Sequence, residues 1–239
     1  MNFFFLFTLS LLQMKGFTVH KIESHHPYQE EWDVATDLPA DKLNQILSQS
    51  YHYLASGKEC YVFSSDDEQY VIKFFKQKHM DTTGLRPKKR RDELRKKTFS
   101  SYKIAYERLR EETQLLYLHL TKSQHLKRKL HLTDNFHRPF TLDLDQAEFL
   151  IQRQGTPLLA YLEDKPEEVR QKMLAKLKIF IQNRIDKGIH DADNNCERNL
   201  GVIEGEIFEI DIGEFSLTNE EFDVEKEIYE ATKDLMIHG

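Results

Sequence analysis

Residues 187–215 read KGIHDADNNCERNLGVIEGEIFEIDIGEF. The run holds an Asp-rich loop (Asp191, Asp193), a later Asn199, and two apolar stretches, 200–203 and 206–210, separated by Glu204-Gly205. It ends on a further aspartate in Asp211-Ile212-Gly213. Short apolar stretches divided by a Gly-containing turn predict a β-hairpin. Phosphoryl transfer needs one carboxylate to orient an acceptor hydroxyl. It also needs an amide oxygen and a second carboxylate to hold the metal that neutralises the phosphates. Asp193, Asn199 and Asp211 supply those residue types in that order.

At 239 residues the chain can bury a proper core, as one sizeable domain or two small lobes. An apolar content of 39% with mean hydropathy −0.63 describes a charge-rich globular chain and argues against extensive disorder. A formal charge of −6 gives no reason to expect nucleic acid as a partner. Cys60 and Cys196 are too far apart for a metal knuckle and too few for a disulfide framework, so a reducing compartment is the simpler expectation. Residues 2–12, NFFFLFTLSLL, are apolar, with no basic residue before them and no small-x-small site after them. A bilayer span needs about 20 apolar residues. The run therefore reads as a poor signal peptide, an interfacial anchor, or sequence upstream of a true start at Met14.

From Asp41 the chain reads as alternating elements. Asp41 is placed to cap a helix over 41–54, with Leu43, Ile46 and Leu47 at helical spacing. Residues 61–64 and 69–75 read as strands joined by Ser65-Asp66-Asp67. The basic run 86–97 reads as a solvated loop and helix face, with binding of acidic partners or phosphates as the alternative, and is followed by a helix over 102–122. A strand over 148–152 is broken by Gly155-Thr156-Pro157. A helix over 166–187 is marked by Asp164 as cap, Glu167 as its capping-box partner and Gly188 just past its end. An acidic helical pattern covers 220–239. His25, His26 and His119 lack partners at ligand spacing, so no metal is assigned to them.

The order of these elements resembles the protein-kinase-like superfamily, and the resemblance covers roughly residues 54–215. Residues 191–199 resemble its catalytic loop, and Asp211-Ile212-Gly213 its metal-binding Asp-Phe-Gly triplet, with Ile for Phe. In ASGKECYVF, Gly57 stands five residues before Val62, as the second glycine of the family's Gly-rich loop does, with Ala55 and Cys60 in place of the others. Lys73 in YVIKFF resembles the strand lysine that contacts the α and β phosphates. Val71 and Phe75 share its face, so a lone charge there requires a partner. The family supplies a glutamate from the following helix. Glu112, three residues before Leu115-Leu116, matches it, and Glu111 is the alternative. The stretch 152–155 resembles the hinge between lobes.

The resemblance implies an α+β, two-lobed protein-kinase-like fold with a short, reduced carboxyl-terminal lobe. The lobes would cover 14–152, with the preceding helices, and 153–239, after an apolar segment 1–13. It implies ATP and Mg²⁺ as cofactors. Gly57, Val62, Lys73 and Glu112 would lie at the nucleotide, Asn199 and Asp211 at the metal, and Asp193 or its rival Asp191 would be the catalytic carboxylate. The acceptor, a protein or a small molecule, is not specified. ATP dependence favours a cytoplasmic location, with weak membrane association through 1–13.

Three departures keep a second reading open. Asp191 stands where the family has His. Asp193 lies six residues before Asn199, whereas the family pattern sets five. The helices that build a protein-substrate platform have no counterpart. The chain is therefore read as an ATP/Mg²⁺-dependent phosphotransferase or as a catalytically inactive kinase-like module that binds nucleotide or protein.

Overall fold

The computed structural model describes residues 16–80, 88–218, 225, 226, 228 and 229. The apolar segment 1–13 and most of the helix expected over 220–239 lie outside the described residues. Helix α1 (Ala40–Leu47) leads into strands β1 (Tyr51–Ser56), β2 (Cys60–Ser65) and β3 (Tyr70–Phe75). Helices α2 (Gln77–Met80), α3 (Lys88–Arg108) and the single turn α4 (Arg110–Thr113) follow. Next come β4 (Leu115–His119), β5 (Lys129–Thr133), β6 (Pro139–Asp143) and β7 (Phe149–Arg153). Beyond β7 lie β8 (Thr156–Pro157), α5 (Leu158–Leu162), α6 (Glu167–Asp186), β9 (Ile189–Asp191), α7 (Cys196–Asn199), β10 (Leu200–Ile203), β11 (Glu206–Glu209) and β12 (Phe215–Leu217). The chain divides into two compact units, with boundaries at Arg95/Lys96, Leu116/Tyr117 and Ile151/Gln152.

The first unit is built on a seven-stranded sheet of order β4-β7-β3-β2-β1-β5-β6. β3 is buried at all of its positions, because it runs through the middle of the sheet with both faces covered. One face carries an aromatic chain: Phe17 on Phe63 at 4.9 Å, Phe63 on Phe74 at 6.0 Å and Phe74 on Phe149 at 5.8 Å between ring centroids. Edge-to-face and tilted contacts of this kind add to the area the rings bury. The β5–β6 hairpin joins the β1 edge through a parallel β1–β5 pairing.

In the second unit α6 lays Met173, Leu177 and Ile181 against Leu158, Cys196, Leu200, Val202 and Ile207. Spacings of four residues keep these side chains on one stripe of the helix. The β10–β11 hairpin pairs Leu200 with Glu209 and Ile203 with Glu206, and β8 adds to β10. That close approach explains Gly155. A Cβ there would meet Ile203 Cγ1 at 2.5 Å and the Val202 carbonyl oxygen at 2.8 Å. β12 returns to pair with β9, setting Phe215 opposite Asp191.

Several expected elements end elsewhere. The helix read over 41–54 stops at Leu47, and Tyr51 begins β1, since the Tyr-rich stretch pairs with β2. Asp41 sits in the first turn of α1 rather than capping it. The helix read over 102–122 is the end of a longer helix that starts at Lys88, and Leu115–His119 is a strand. Gln114, with φ +53°, ends the helical run, and the apolar LLYLH stretch gains more at a sheet edge. The helix read over 166–187 starts at Glu167 with Pro166 at the cap and no side-chain cap bond, so Asp164 does not serve. Gly188 does follow it in the left-handed region, at φ +68°. The basic run is not all solvated, because Arg91 and Arg95 point into the first unit as residues of α3.

Candidate functional site

The first unit carries Gly57, Val62 and Lys73. Val62 and Lys73 are register partners across β2 and β3, so their side chains share a face of the sheet. Lys73 is buried there and Val62 half-buried. Gly57 lies in the β1–β2 turn, exposed, and a Cβ built on it would meet nothing within 4 Å. The turn is held by Lys76, whose ammonium donates to Ser56 Oγ at 2.7 Å and to the Gly57 carbonyl. Lys76 also lies over the Tyr61 ring at 4.6 Å. Its pKa is lowered by burial, then by the neighbouring Lys78. Lys76 escaped the sequence reading. The available signal was a second basic position in a strand-end run otherwise apolar, VIKFFK.

The second unit carries Asp191, Asp193, Asn199 and Asp211, and Asn199 links them. Asn199 Nδ2 donates to the Asp193 carbonyl at 2.6 Å. Its own carbonyl accepts from the amides of Ile210 at 2.5 Å and Asp211 at 3.3 Å. The peptide groups of Asp193 and Asp211 are thus tied to one buried asparagine, while both carboxylates are exposed. Donation through Nδ2 leaves Oδ1 of Asn199 as an acceptor. Asn195 caps α7, its side chain accepting from the Arg198 amide.

Asp191 is of another kind. It is buried, its Oδ2 takes the Arg184 guanidinium at 3.1 Å and its Oδ1 takes the Asp193 amide at 3.0 Å. Burial raises its carboxyl pKa, partly offset by Arg184. A carboxylate closed off by a guanidinium and an amide acts as a brace for the loop.

Ser101 on α3 steadies the Asp211-Ile212-Gly213 segment. Its hydroxyl donates to the Ile212 carbonyl and accepts from the Phe215 amide at 2.8 Å. Ile212 is fully buried. Lys97, also on α3, pairs with Glu214. Glu112 forms an ion pair with Lys187. The physical reason is position. Glu112 lies on the single turn α4 beyond the end of α3, where the lysine following α6 reaches it.

Under this loop lie Arg184 and Glu209, which the sequence reading missed. Arg184 continues the apolar stripe of α6, three residues after Ile181, and a charge on such a stripe was the signal. Glu209 at the end of β11 is fully buried, its Oε2 3.9 Å from Arg184 Nη1. Burial pushes its carboxyl well above the usual range. The Cys196 thiol beside it is pushed up to about 12, chiefly by burial, so it is not a ready nucleophile.

The sheet order, the long helix between β3 and β4, and the helix, loop and hairpin after β7 make an α+β, protein-kinase-like fold. No protein-family model and no curated protein sequence matches the chain. Solved structures similar to it include WbdD, at 15% identity over 77% of this chain and 37% of that one, with a TM-score of 0.45. The ROP18 kinase domain in complex with AMP-PNP and sucrose is similar at 13% identity over 76% of this chain and 62% of that one, with a TM-score of 0.41. Rv3197 from Mycobacterium tuberculosis, in complex with erythromycin, is similar at 16% identity over 84% and 59%, with a TM-score of 0.39. The chain spans 37 to 62% of the length of these three. Among the described residues no helix is long and apolar enough to cross a membrane.

Proposed function

We propose that the chain is an ATP- and Mg²⁺-dependent phosphotransferase. The observation that carries the reading is Asn199, bonded to the peptide groups of both Asp193 and Asp211 beside their exposed carboxylates. Two carboxylates and an amide oxygen form a hard-oxygen set suited to Mg²⁺. Asn199 and Asp211 would hold the ion, which supplies charge neutralisation at the phosphates when bound. Asp193 orients the acceptor hydroxyl and takes its proton at a carboxylate oxygen. It is the exposed aspartate of the loop, whereas Asp191 is occupied by Arg184. Lys73 contacts the phosphates, Val62 packs on the nucleotide, and Gly57 lets the β1–β2 turn approach it.

The test is a thermal-shift titration with ATP, with and without Mg²⁺, followed by phosphate release. Ligand binding to the native state raises stability by mass action. The parent should show a shift that Mg²⁺ enlarges, Asp211→Asn should lose the Mg²⁺ increment, and Asp193→Ala should keep the shift but lose turnover. Absence of any Mg²⁺-dependent shift in the parent overturns the reading. A shift without phosphate release assigns the chain instead to the inactive, nucleotide-binding class, for which the single glycine of the β1–β2 turn is the supporting feature.

A further inference from the structure

The guanidinium of Arg184 has two Nη groups, and they are used on the two sides of the Ala192-Asp193 pair. Nη1 donates to Asp191 Oδ2 at 3.1 Å and Nη2 to Asn194 Oδ1 at 3.0 Å. Asp193 lies between those two anchors in the chain, and its amide donates to the other oxygen of Asp191 at 3.0 Å. The backbone is thus fixed before and after Asp193 while the carboxylate of Asp193 stays exposed. A guanidinium does this better than an ammonium, because its planar fork sets two donors in fixed relation. The fork itself does not wander. Arg184 is only 3% exposed, stands in the last turn of the twenty-residue helix α6, and lies over the Phe215 ring at 5.8 Å. A charge buried that deeply in an apolar stripe is costly unless paired, so its retention asks for a use that an apolar side chain would not meet.

We propose that Arg184 is the positioning residue of this loop: from helix α6 it holds Asp191 and Asn194 so that Asp193 is presented at a fixed place to the acceptor. The inference rests on the phosphotransferase reading for the role of Asp193, but the positioning itself has an independent readout.

That readout is amide hydrogen exchange on the full chain, resolved by residue. Arg184→Lys keeps the charge and loses the fork. It should speed exchange at the Asp193 and Asn195 amides on the order of tenfold relative to Val202 in β10. Phosphate release should fall on the order of a hundredfold, the cost of misplacing a reacting group by about 1 Å. The KM for ATP and the ATP thermal shift should stay within about twofold of the parent. Asn194→Ala removes one arm from a half-buried loop position. It should reproduce the selective exchange even where Arg184→Lys fails to fold. Unchanged exchange at Asp193 in either folded variant overturns the proposal. So does a uniform rise across β10 and β11, or a fall in turnover matched by an equal rise in KM. Where the parent itself releases no phosphate, the phosphotransferase reading fails, and exchange at Asp193 alone decides whether Arg184 positions the loop.

Discussion

Two buried glutamates, one in each unit, are served very differently. Glu148 in the first unit is fully buried and both its oxygens are bonded. The Ser24 hydroxyl donates to Oε1, Gln77 Nε2 donates to Oε2 at 2.7 Å, and the Arg95 guanidinium stands 3.8 Å away. Glu209 in the second unit has Arg184 at 3.9 Å and the carboxyl groups of Asp191, Asp211 and Asp193 acting against it, and its Oε2 has no hydrogen-bond partner among the described residues. Arg184 gives its closer contacts to Asp191 and Asn194 instead. In the first network both oxygens of the glutamate are satisfied, which serves stability. In the second, hydrogen bonds are withheld from the core and turned to a loop with exposed carboxylates. Left without an adequate counter-charge, Glu209 has its carboxyl pKa held well above the usual range, chiefly by burial.

The largest expected effect is on the Glu148 network. Glu148→Ala strips an ion-pair partner from buried Arg95 and acceptors from Ser24 and Gln77, so unfolding free energy should fall by about 3–5 kcal/mol. Urea denaturation measures this, and a loss near zero would dissolve the contrast between the units.

Next is the acid limb of stability, through His119 in the same unit. Both its nitrogens are engaged, Nδ1 with the Ala147 carbonyl at 2.8 Å and Nε2 with Ser123 Oγ at 3.1 Å. Burial lowers its pKa from 6.5 to about 4. The folded state therefore keeps the ring neutral while the unfolded chain takes up a proton below pH 6.5. The contribution is complete above pH 6.5 and is lost as pH falls to about 4, a loss of about 3 kcal/mol at most. In His119→Gln that part of the pH dependence should disappear, as seen by comparing denaturation midpoints at pH 7 and pH 4.5.

The smallest effect belongs to Glu209. An amide mimics a protonated carboxyl, so Glu209→Gln should cost less than about 1 kcal/mol near neutral pH. The sign of its pH dependence opposes that of His119. A carboxyl raised on folding contributes fully below the ordinary range, and that contribution is lost as pH rises toward the folded value. The variant should therefore gain on the parent as pH rises above the ordinary carboxylate range. A penalty for Glu209→Gln as large as that for Glu148→Ala would show that both glutamates are structural anions.

Much of the fold was legible in the sequence. Strands 61–64 and 69–75, the hairpin after Asn199 and the long helix before Gly188 emerged within a few residues of their places, because periodicity and turn residues are local signals. The β5–β6 hairpin was not read, although Leu130 and Leu132 alternate with exposed Lys129 and His131. Short half-buried strands with charged outer faces give weak patterns. Residues 115–119 were misread as helix because an apolar run has no period, and only the sheet edge decides its form.

The sequence by itself determined the α+β order of elements and the residue types of the candidate site, Asp193, Asn199, Asp211 and Lys73, because spacing along a chain carries both. Tertiary structure alone decided which aspartate is free. Asp191 and Asp193 are alike in sequence, and only the arrival of Arg184 from α6 buries one and leaves the other exposed. It alone gave Lys187 to Glu112, Lys76 to the β1–β2 turn and Ser101 to the Ile212 segment. Partners distant in sequence are chosen by packing, and the cost of burying an unpaired charge selects among them.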